Sequence, residues 1–295
     1  MAIRAIGIIS KPRRKALEPI LPTLLTWLRQ RGVEALLDEE TASTLNLQAK
    51  PAGVTVLPRN QLPTKSDLIL VMGGDGTLLA AARGAHGCNV PILAVNLGSL
   101  GFLTAVTVGE LYDSLEVVLN GKHQVEYRKM LQINVLREGA VVETYHALND
   151  AVLNKGAISR MLDFEAYIDG QFLTLIKADG VIVSTPTGST AYSLAAGGPI
   201  VHPSVEAFLI TPICPHTLTN RPVVVPDSSR IEIVVKTEAE AVFLTLDGQV
   251  GQELHHEDRI VCELSPSRIG LIRPLHKGFF EVLRSKLKWG ERGEH

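Results

Sequence analysis

An uninterrupted apolar run, Leu68–Met72, is followed at once by a glycine-rich turn, and this junction restricts the possible folds more than any other feature. A strand without polar residues is typical of a parallel sheet that is covered on both faces. Similar aliphatic runs at residues 5–9, 33–37 and 91–96 alternate with helical periodicity, as at residues 17–30. The alternation predicts βαβ units around a parallel sheet in the first part of the chain.

From about residue 124 the pattern changes to short, closely spaced β-type segments, which is typical of a sandwich or barrel. The segment Phe279–Leu287 returns to helical spacing, and we expect it to pack on the first domain. The sequence therefore predicts an α/β plus all-β protein. A Rossmann-like parallel-sheet domain would span residues 1–123, joined by residues 276–295, and a β-sandwich-like domain would span residues 124–275.

Composition argues against several classes of partner. The 295 residues include 29 Lys and Arg and 31 Asp and Glu, a net charge of −2, so the chain has no general basic field for nucleic acid or an anionic membrane surface. Residues 180–205 form a long stretch without Asp, Glu, Lys or Arg, but glycines and prolines interrupt it, and we expect no membrane span there. The first residues lack the pattern of a signal peptide, which predicts a cytoplasmic protein.

The turn at residues 73–77, Gly-Gly-Asp-Gly-Thr, is the strongest candidate for a functional site. It follows a predicted parallel strand, and ligands of open α/β sheets bind at the carboxyl ends of the strands. Its glycines allow backbone N–H groups to approach phosphate oxygens. Asp75 would repel phosphate unless a cation intervenes or the carboxylate takes a proton from an attacking hydroxyl, so it is the candidate base or metal-associated carboxylate. A tight turn in which Asp75 caps the next helix is the alternative.

Three other segments carry polar groups near predicted strands. Residues 96–103, Asn-Leu-Gly-Ser-Leu-Gly-Phe-Leu, follow a strand and would reach the same sheet edge, although ordinary loop chemistry explains them equally well. Residues 179–200 offer hydroxyls with little charge, which suits a sugar hydroxyl or a base edge; a helix packed through small residues is the alternative. Asn149 and Asp150 lie among apolar neighbours, either facing a ligand or forming a structural hydrogen-bonded pair.

Three short pairs suggest turns or surface features. Asp169-Gly170 is a strong signal for a hairpin, and a hairpin turn is also the preferred interpretation of Asp247-Gly248. His255-His256 has no third ligand at metal spacing, so we interpret it as a solvated surface feature. No Gly-x-Ser-x-Gly motif is present, which disfavours a serine hydrolase.

The order and spacing of four motifs resemble the bacterial NAD kinase family along the whole chain. They are residues 73–77, residues 96–103, the Asn149-Asp150 pair and residues 179–200, of which the last is the most specific. The resemblance implies transfer of the γ-phosphoryl group of ATP to the 2′-hydroxyl of the adenosine ribose of NAD, giving NADP. It implies a divalent metal, Mg²⁺, bound through the nucleotide phosphates and not at a metal site of the protein itself. A homodimer or homotetramer is implied as well.

The resemblance also implies roles for individual residues. Asp75 matches the catalytic aspartate of the family, the general base on the 2′-hydroxyl. The residues implied to bind the phosphates of ATP are Gly73, Gly74, Gly76 and Thr77. The residues implied to bind NAD are Asp75, Gly76, Phe102, Asn149, Asp150, Arg160, Lys177, Asp179, Thr190, Ala191, Tyr192, Ser193, Leu194, Ala195 and Gln249. Many relatives carry Glu at the position of Asp150, and Lys177 and Asp179 match positions that reach NAD held by a neighbouring subunit.

Two other functions are alternatives. A lipid kinase of the diacylglycerol type shares the glycine-rich turn, but it should present an apolar acyl cleft or a membrane-facing surface, whereas residues 179–200 are polar and rich in glycine. A non-catalytic regulator would use the same turns to bind NAD(H) and report it to a partner.

Overall fold

The computed structural model of the chain describes residues 3–11, 15–44, 53–104, 106–156, 161–217, 219–238, 240–273 and 277–289. It contains two compact units, the first formed by residues 1–127 and 269–295 and the second by residues 128–268. The first unit is built on a parallel sheet and the second on antiparallel strands, which confirms the predicted fold class.

The first unit alternates strands and helices. Its strands are β1 (Ala5–Ser10), β2 (Glu34–Asp38), β3 (Val54–Leu57), β4 (Leu68–Met72), β5 (Ile92–Asn96) and β6 (Val106–Thr107). Its helices before residue 128 are α1 (Ile20–Gln30), α2 (Glu39–Thr44), α3 (Leu62–Lys65), α4 (Asp75–Gly84) and α5 (Leu111–Leu119). The predicted helix over residues 17–30 begins only at Ile20, because residues 15–17 form a separate 3₁₀ turn and Pro19 precedes the first α-helical turn.

The parallel sheet of the first unit reverses its strand order beside β4. The strands are hydrogen-bonded in the order β3-β2-β1-β4-β5, so the chain adds strands outward from β1 on one side and from β4 on the other. At the reversal Ile8 pairs with Leu70. Ligands of open α/β sheets bind beyond the carboxyl ends of the strands at such a switch point. Strand β4 ends there at Met72, immediately before the glycine-rich turn.

Burial explains why these segments form strands and helices. Every residue of β4 is buried, as expected for a central parallel strand. Helix α1 buries Leu21, Leu24, Leu25 and Leu28, whose spacing places them on one face toward the sheet. The helix ends before Gly32, whose φ of +69° is unfavourable for residues with a Cβ.

The second unit is made almost entirely of strands. Its strands, with the two that cross its limits, are β7 (Val125–Arg137), β8 (Ala140–Ala147), β9 (Asp150–Lys155), β10 (Leu162–Ile168), β11 (Gln171–Ala178), β12 (Gly180–Ser184), β13 (Ala207–Ile213), β14 (Val223–Pro226), β15 (Ile231–Val235), β16 (Val242–Leu246), β17 (Val250–Leu254) and β18 (Arg259–Ile272). A single short α-helix, α6 (Tyr192–Ala195), occurs among the residues described in this unit.

Two series of antiparallel strands enclose the core of the second unit. One sheet has the order β14-β13-β12-β9-β16-β17, and the other series runs β11-β10-β15 and then the first part of β18. A single apolar cluster takes Val183 and Leu244 from the first sheet and Phe164 and Ile233 from the second series. This shared core is the sandwich-like arrangement predicted from the spacing of the β segments.

Local turn chemistry was predicted correctly, whereas four strands were missed. Asp169 and Gly170 both have positive φ, 52° and 78°, in the hairpin that joins β10 to β11. Asp247 starts the turn between β16 and β17. The sequence pattern did not identify β3, β6, β13 or β17. The continuous burial of β13 leaves no alternation of polar and apolar residues.

The end of the described chain belongs to the first unit, as predicted. Helix α7 (Phe279–Leu287) is preceded by Lys277, whose ammonium group lies 2.8 Å from both carboxylate oxygens of Glu110. Burial raises the pKa of Glu110, but hydrogen bonds from Lys277 and Thr107 outweigh burial and lower the pKa to about 2. Across the described ranges, no helix has both the length and the apolar character needed to cross a membrane.

Candidate active site

The glycine-rich turn joins the carboxyl end of β4 to the first turn of α4. The Gly73 N–H donates to the carbonyl of Val95 at 2.9 Å, which ties the turn to β5. A Cβ on Gly73 would lie 2.4 Å from Oγ1 of Thr77, so the close approach requires glycine. Gly74 occupies the N-cap of α4, and its carbonyl accepts the N–H of Thr77 at 2.9 Å. A helix N-terminus at this place is suited to bind phosphate.

The carboxylate of Asp75 is fixed by the loop that follows β5. Oδ2 accepts the N–H of Phe102 at 2.9 Å. Oδ1 accepts the N–H groups of Leu103 and Thr104 at 3.2 and 3.0 Å and the Thr104 hydroxyl at 2.9 Å. The position of Asp75 in the first turn of α4 also favours its negative charge. The structure therefore brings together Asp75 and Phe102, two of the predicted site residues.

The motif at residues 96–103 shapes the loop that holds Asp75. Asn96 is 6% exposed; its Oδ1 accepts the N–H of Gly98 at 2.7 Å, and its Nδ2 donates to Oγ1 of Thr104 at 2.9 Å. A Cβ on Gly101 would lie only 2.0 Å from Oδ1 of Asp75. The sequence of this motif is compatible both with a ligand site and with an ordinary loop. It gives no signal for Thr104, which lies one residue beyond the motif.

A second group of predicted residues meets within the second unit. The Asp247 carboxylate accepts backbone N–H groups from three consecutive residues, Leu148, Asn149 and Asp150, at 3.3, 2.8 and 3.3 Å. Thr185 donates its hydroxyl to the carbonyl of Leu148 at 2.6 Å and its N–H to the carbonyl of Asn149 at 2.9 Å. The Asn149-Asp150 pair, the start of the hydroxyl-rich segment and the turn at Asp247 are therefore neighbours.

Close packing holds the Asn149-Asp150 pair in place. A Cβ on Gly188 would lie 2.2 Å from the carbonyl oxygen of Asn149, so the hydroxyl-rich segment can pass here only with glycine. Asn149 is 8% exposed, and its Oδ1 has no hydrogen-bond partner among the residues that the structure describes. A buried amide oxygen without a partner is unfavourable unless a ligand satisfies it.

Asp150 is a buried acid beside a second acid. It is 3% exposed. Burial raises the pKa of the Asp150 carboxyl, and the negative charge of Asp247 raises it further, to about 7. The shift is in the direction expected when a carboxyl group loses water and faces a like charge. Asp150 thus changes its protonation state near neutral pH.

The remaining residues of the hydroxyl-rich segment differ in exposure. Thr190 ends a 3₁₀ turn over residues 188–190, and Ala191 lies between that turn and α6, which contains Leu194 and Ala195. Tyr192 is 45% exposed. Ser193 is buried, and its hydroxyl forms a 2.9 Å hydrogen bond with the hydroxyl of Thr211. The Ser193 hydroxyl therefore has a structural partner already.

The other predicted contacts that the structure describes also belong to the second unit. Lys177 ends 3.5 Å from Asp163, and Asp179 pairs with Lys155 at 2.7 Å. Gln249 is exposed in the turn between β16 and β17. Arg160 falls outside the residues that the structure describes.

A Rossmann-like sheet that carries a glycine-rich turn, a helix N-terminus and a fixed carboxylate at its switch point is suited to a phosphotransferase that acts on nucleotides. The family model of the ATP-NAD kinase N-terminal domain matches residues 6–123, and that of the ATP-NAD kinase C-terminal domain matches residues 148–274. The chain belongs to the ATP-NAD kinase family.

Individual relatives agree over nearly the whole length. The chain is 51% identical to an NAD kinase of Solibacter usitatus over 98% of this chain and 99% of the relative, and 48% identical to an NAD kinase of Koribacter versatilis over 98% and 100%. Its fold matches the crystal structure of yeast NADH kinase complexed with NADH, with a TM-score of 0.92, 29% identity and coverage of 99% of this chain and 89% of that chain. These matches confirm the resemblance and favour neither the lipid kinase nor the regulator.

Gly101→Ala should lower the activity of the protein and leave it folded. The new Cβ would collide with the Asp75 carboxylate, so the loop or the carboxylate must move, and we expect kcat to fall by about 10²-fold, the scale of a small misplacement at a reacting group. Gly109→Ala is the matched control, since its Cβ would meet only Oγ1 of Thr107 at 4.0 Å. Equal turnover of the two variants would contradict the close contact between position 101 and the Asp75 carboxylate.

Substituting Asp150→Asn should change the pH dependence of stability. Because the folded-state pKa of about 7 lies above the usual 3.8, the unfolded chain releases this proton first, and the wild type loses stability as the pH rises from about 4 to about 7. The Asp150→Asn variant has no carboxyl group at this position, so it does not lose stability in this way. We expect its Tm to exceed that of the wild type by a few degrees at pH 8, with the difference disappearing toward pH 4 in calorimetry. A constant difference across this range would contradict the shifted pKa.

Proposed function

We propose that Asp75 is the general base in the reaction of this NAD⁺ kinase, the transfer of the γ-phosphoryl group of ATP to the 2′-hydroxyl of the adenosine ribose of NAD. One observation carries the proposal: the carboxylate is held by four hydrogen bonds at the switch point of the sheet, in the first turn after the glycine-rich segment. Asp75 would accept the proton of the 2′-hydroxyl while the oxygen of that hydroxyl bonds to the γ-phosphorus. The bond between that phosphorus and the β-phosphate oxygen breaks, leaving ADP and NADP.

The glycine-rich turn is proposed to position the donor. Phosphoryl transfer depends mainly on alignment and on stabilisation of charge on the phosphoryl oxygens. Gly73, Gly74, Gly76 and Thr77 lie at the N-terminal end of α4, where backbone N–H groups and the helix dipole favour phosphate. The turn would therefore hold the phosphates of ATP beside the base.

The second unit is proposed to recognise NAD. Asn149 and Asp150 would hydrogen-bond the nucleoside, and the unpartnered Oδ1 of Asn149 supports this role. The segment at residues 190–195 would fix the adenine and ribose through its hydroxyl and backbone groups, with Phe102 bordering the nucleotide. Arg160 and Gln249 are proposed as further contacts.

Mg²⁺ is proposed as the divalent cofactor. Within the described ranges, no group of three or more His, Cys, Asp or Glu side chains could hold a metal ion. We propose that the ion is carried on the phosphates of ATP, and that these phosphates face the N-terminal end of α4. Bound there, the ion would supply neutralisation of phosphate charge, and the chain itself would supply orientation and the base.

We further propose a cytoplasmic homo-oligomer, a dimer or tetramer, in which Lys177 and Asp179 reach NAD held by a neighbouring subunit. The Lys177 side chain is 53% exposed and that of Asp179 36%, so each has surface available to a second chain.

The reaction and its base can be tested in one assay. Purified protein is incubated with NAD, ATP and Mg²⁺, and NADP is measured with an NADP-specific dehydrogenase. Because an amide cannot accept the proton, we expect Asp75→Asn to fold normally and to lower kcat by about 10²-fold or more, the usual scale of general-base catalysis. Asp113→Asn, in the first turn of α5, is the matched control. Near-normal turnover of Asp75→Asn would remove Asp75 from this role.

The shared site can be tested by mixing two damaged chains. Asp75→Asn and Lys177→Ala should each lower activity alone, whereas mixed oligomers contain some sites with Asp75 from one chain and Lys177 from its neighbour, both intact. We expect activity to recover on co-expression, and sedimentation to show a mass above the 31.9 kDa of one chain. An active species of 31.9 kDa, or no recovery from verified mixed oligomers, would contradict the shared site.

A further inference from the structure

We propose that Thr104 is a positioning residue for Asp75, directed by Asn96, and that the resulting hydrogen-bond chain makes Oδ2 of Asp75 the oxygen that accepts the substrate proton. The proposal rests on the proposed role of Asp75 as general base. It assigns functions to Asn96, which belongs to a predicted motif but had no predicted role of its own, and to Thr104, which lies outside every predicted motif.

The side-chain amide of Asn96 has a defined orientation. Its Oδ1 accepts the N–H of Gly98 at 2.7 Å, and its Nδ2 donates to the carbonyl of Ser99. The reverse orientation would place an NH₂ group against an N–H and an oxygen against a carbonyl oxygen, so both hydrogen bonds would be lost. The second hydrogen of Nδ2 is consequently directed at Oγ1 of Thr104, 2.9 Å away.

The direction of the Thr104 hydroxyl follows from that of Asn96. An amide NH₂ is only a donor, so Oγ1 must accept from Asn96 and keep its own proton for another acceptor. That acceptor is Oδ1 of Asp75 at 2.9 Å. Thr104 is fully buried, so water does not compete for the hydroxyl. The three groups form a directed chain from amide to hydroxyl to carboxylate.

The two oxygens of Asp75 are used unequally. A carboxylate oxygen has two lone pairs in the carboxyl plane. Oδ1 accepts three hydrogen bonds, from the N–H groups of Leu103 and Thr104 and from the Thr104 hydroxyl, and is saturated. Oδ2 accepts one, from the N–H of Phe102, among the residues that the structure describes. One acceptor position of Oδ2 is therefore available for a substrate hydroxyl.

Removal of the Thr104 hydroxyl tests the proposal. Thr104→Val keeps the shape of the side chain but leaves Oδ1 with one donor fewer and the Asn96 amide without its acceptor. We expect kcat to fall by about 10- to 100-fold, the scale of a hydrogen bond to a charged group, while KM for NAD and for ATP changes by less than about twofold. Thr104→Ser keeps the hydroxyl and should retain most of the turnover.

Thr107→Val is the matched control. The Thr107 hydroxyl donates to Glu110 at 2.8 Å and lies three residues beyond Thr104, so the same substitution there should leave kcat unchanged. If Thr104→Val keeps kcat within about twofold of the wild type, the positioning role is wrong. It is also wrong if Thr104→Ser loses as much turnover as Thr104→Val, and this comparison decides the matter even if the valine variant is poorly folded.

A double-mutant cycle separates this proposal from the role of Asp75. If Thr104 acts through Asp75, adding Thr104→Val to Asp75→Asn should lower kcat by less than about twofold more. An undiminished effect in that background would overturn the positioning role and leave Asp75 as the base. Near-normal turnover of Asp75→Asn alone would instead overturn the base, and with it this proposal.

Discussion

Each unit holds its candidate functional residues by one kind of interaction, a carboxylate that accepts consecutive backbone N–H groups from a segment distant in sequence. Asp75 accepts the N–H groups of residues 102–104, and Asp247 accepts those of residues 148–150. Loops without a strand partner need such acceptors, because a buried N–H without one is unfavourable. Each carboxylate therefore does two things at once, since it satisfies a loop and fixes the position of polar groups around it.

The parallel sheet explains why the first of these carboxylates stands where a phosphate can bind. The strand order reverses between β1 and β4, and the turn after β4 must leave the sheet at that opening. Glycine at position 73 lets the chain turn against Thr77, and α4 begins at once. Asp75 is consequently on the first turn of the helix, close enough to β5 for the next loop to reach it. The loop in turn requires Gly101, because any Cβ there would meet the carboxylate.

Sequence predicted the features that depend on local order. The strand, turn and helix around residues 68–84 follow from apolar runs and glycines, and the hairpin at Asp169 follows from a dipeptide with positive φ. Features that depend on distant pairing were not predicted. Thr104 has no local signal, because its partner Asp75 is 29 residues away. Asp247 was interpreted as a turn residue, which is correct, but its contact with Asn149 spans 98 residues and leaves no periodicity in the sequence.

Asp75 in the first unit and Asp150 in the second show how the surroundings of a carboxyl group decide its chemical role. Asp75 receives four hydrogen bonds, three of them on Oδ1, which fix its carboxylate and leave an acceptor position on Oδ2 for a substrate hydroxyl. Asp150 is buried beside Asp247, whose charge already serves three N–H groups. Below a pH of about 7 its carboxyl therefore keeps a proton, and it then offers a donor as well as acceptors. A donor on Asp150 and the unpartnered amide oxygen of Asn149, the preceding residue, give the second unit polar groups of both kinds, which is what recognition of a ribose or a base edge requires.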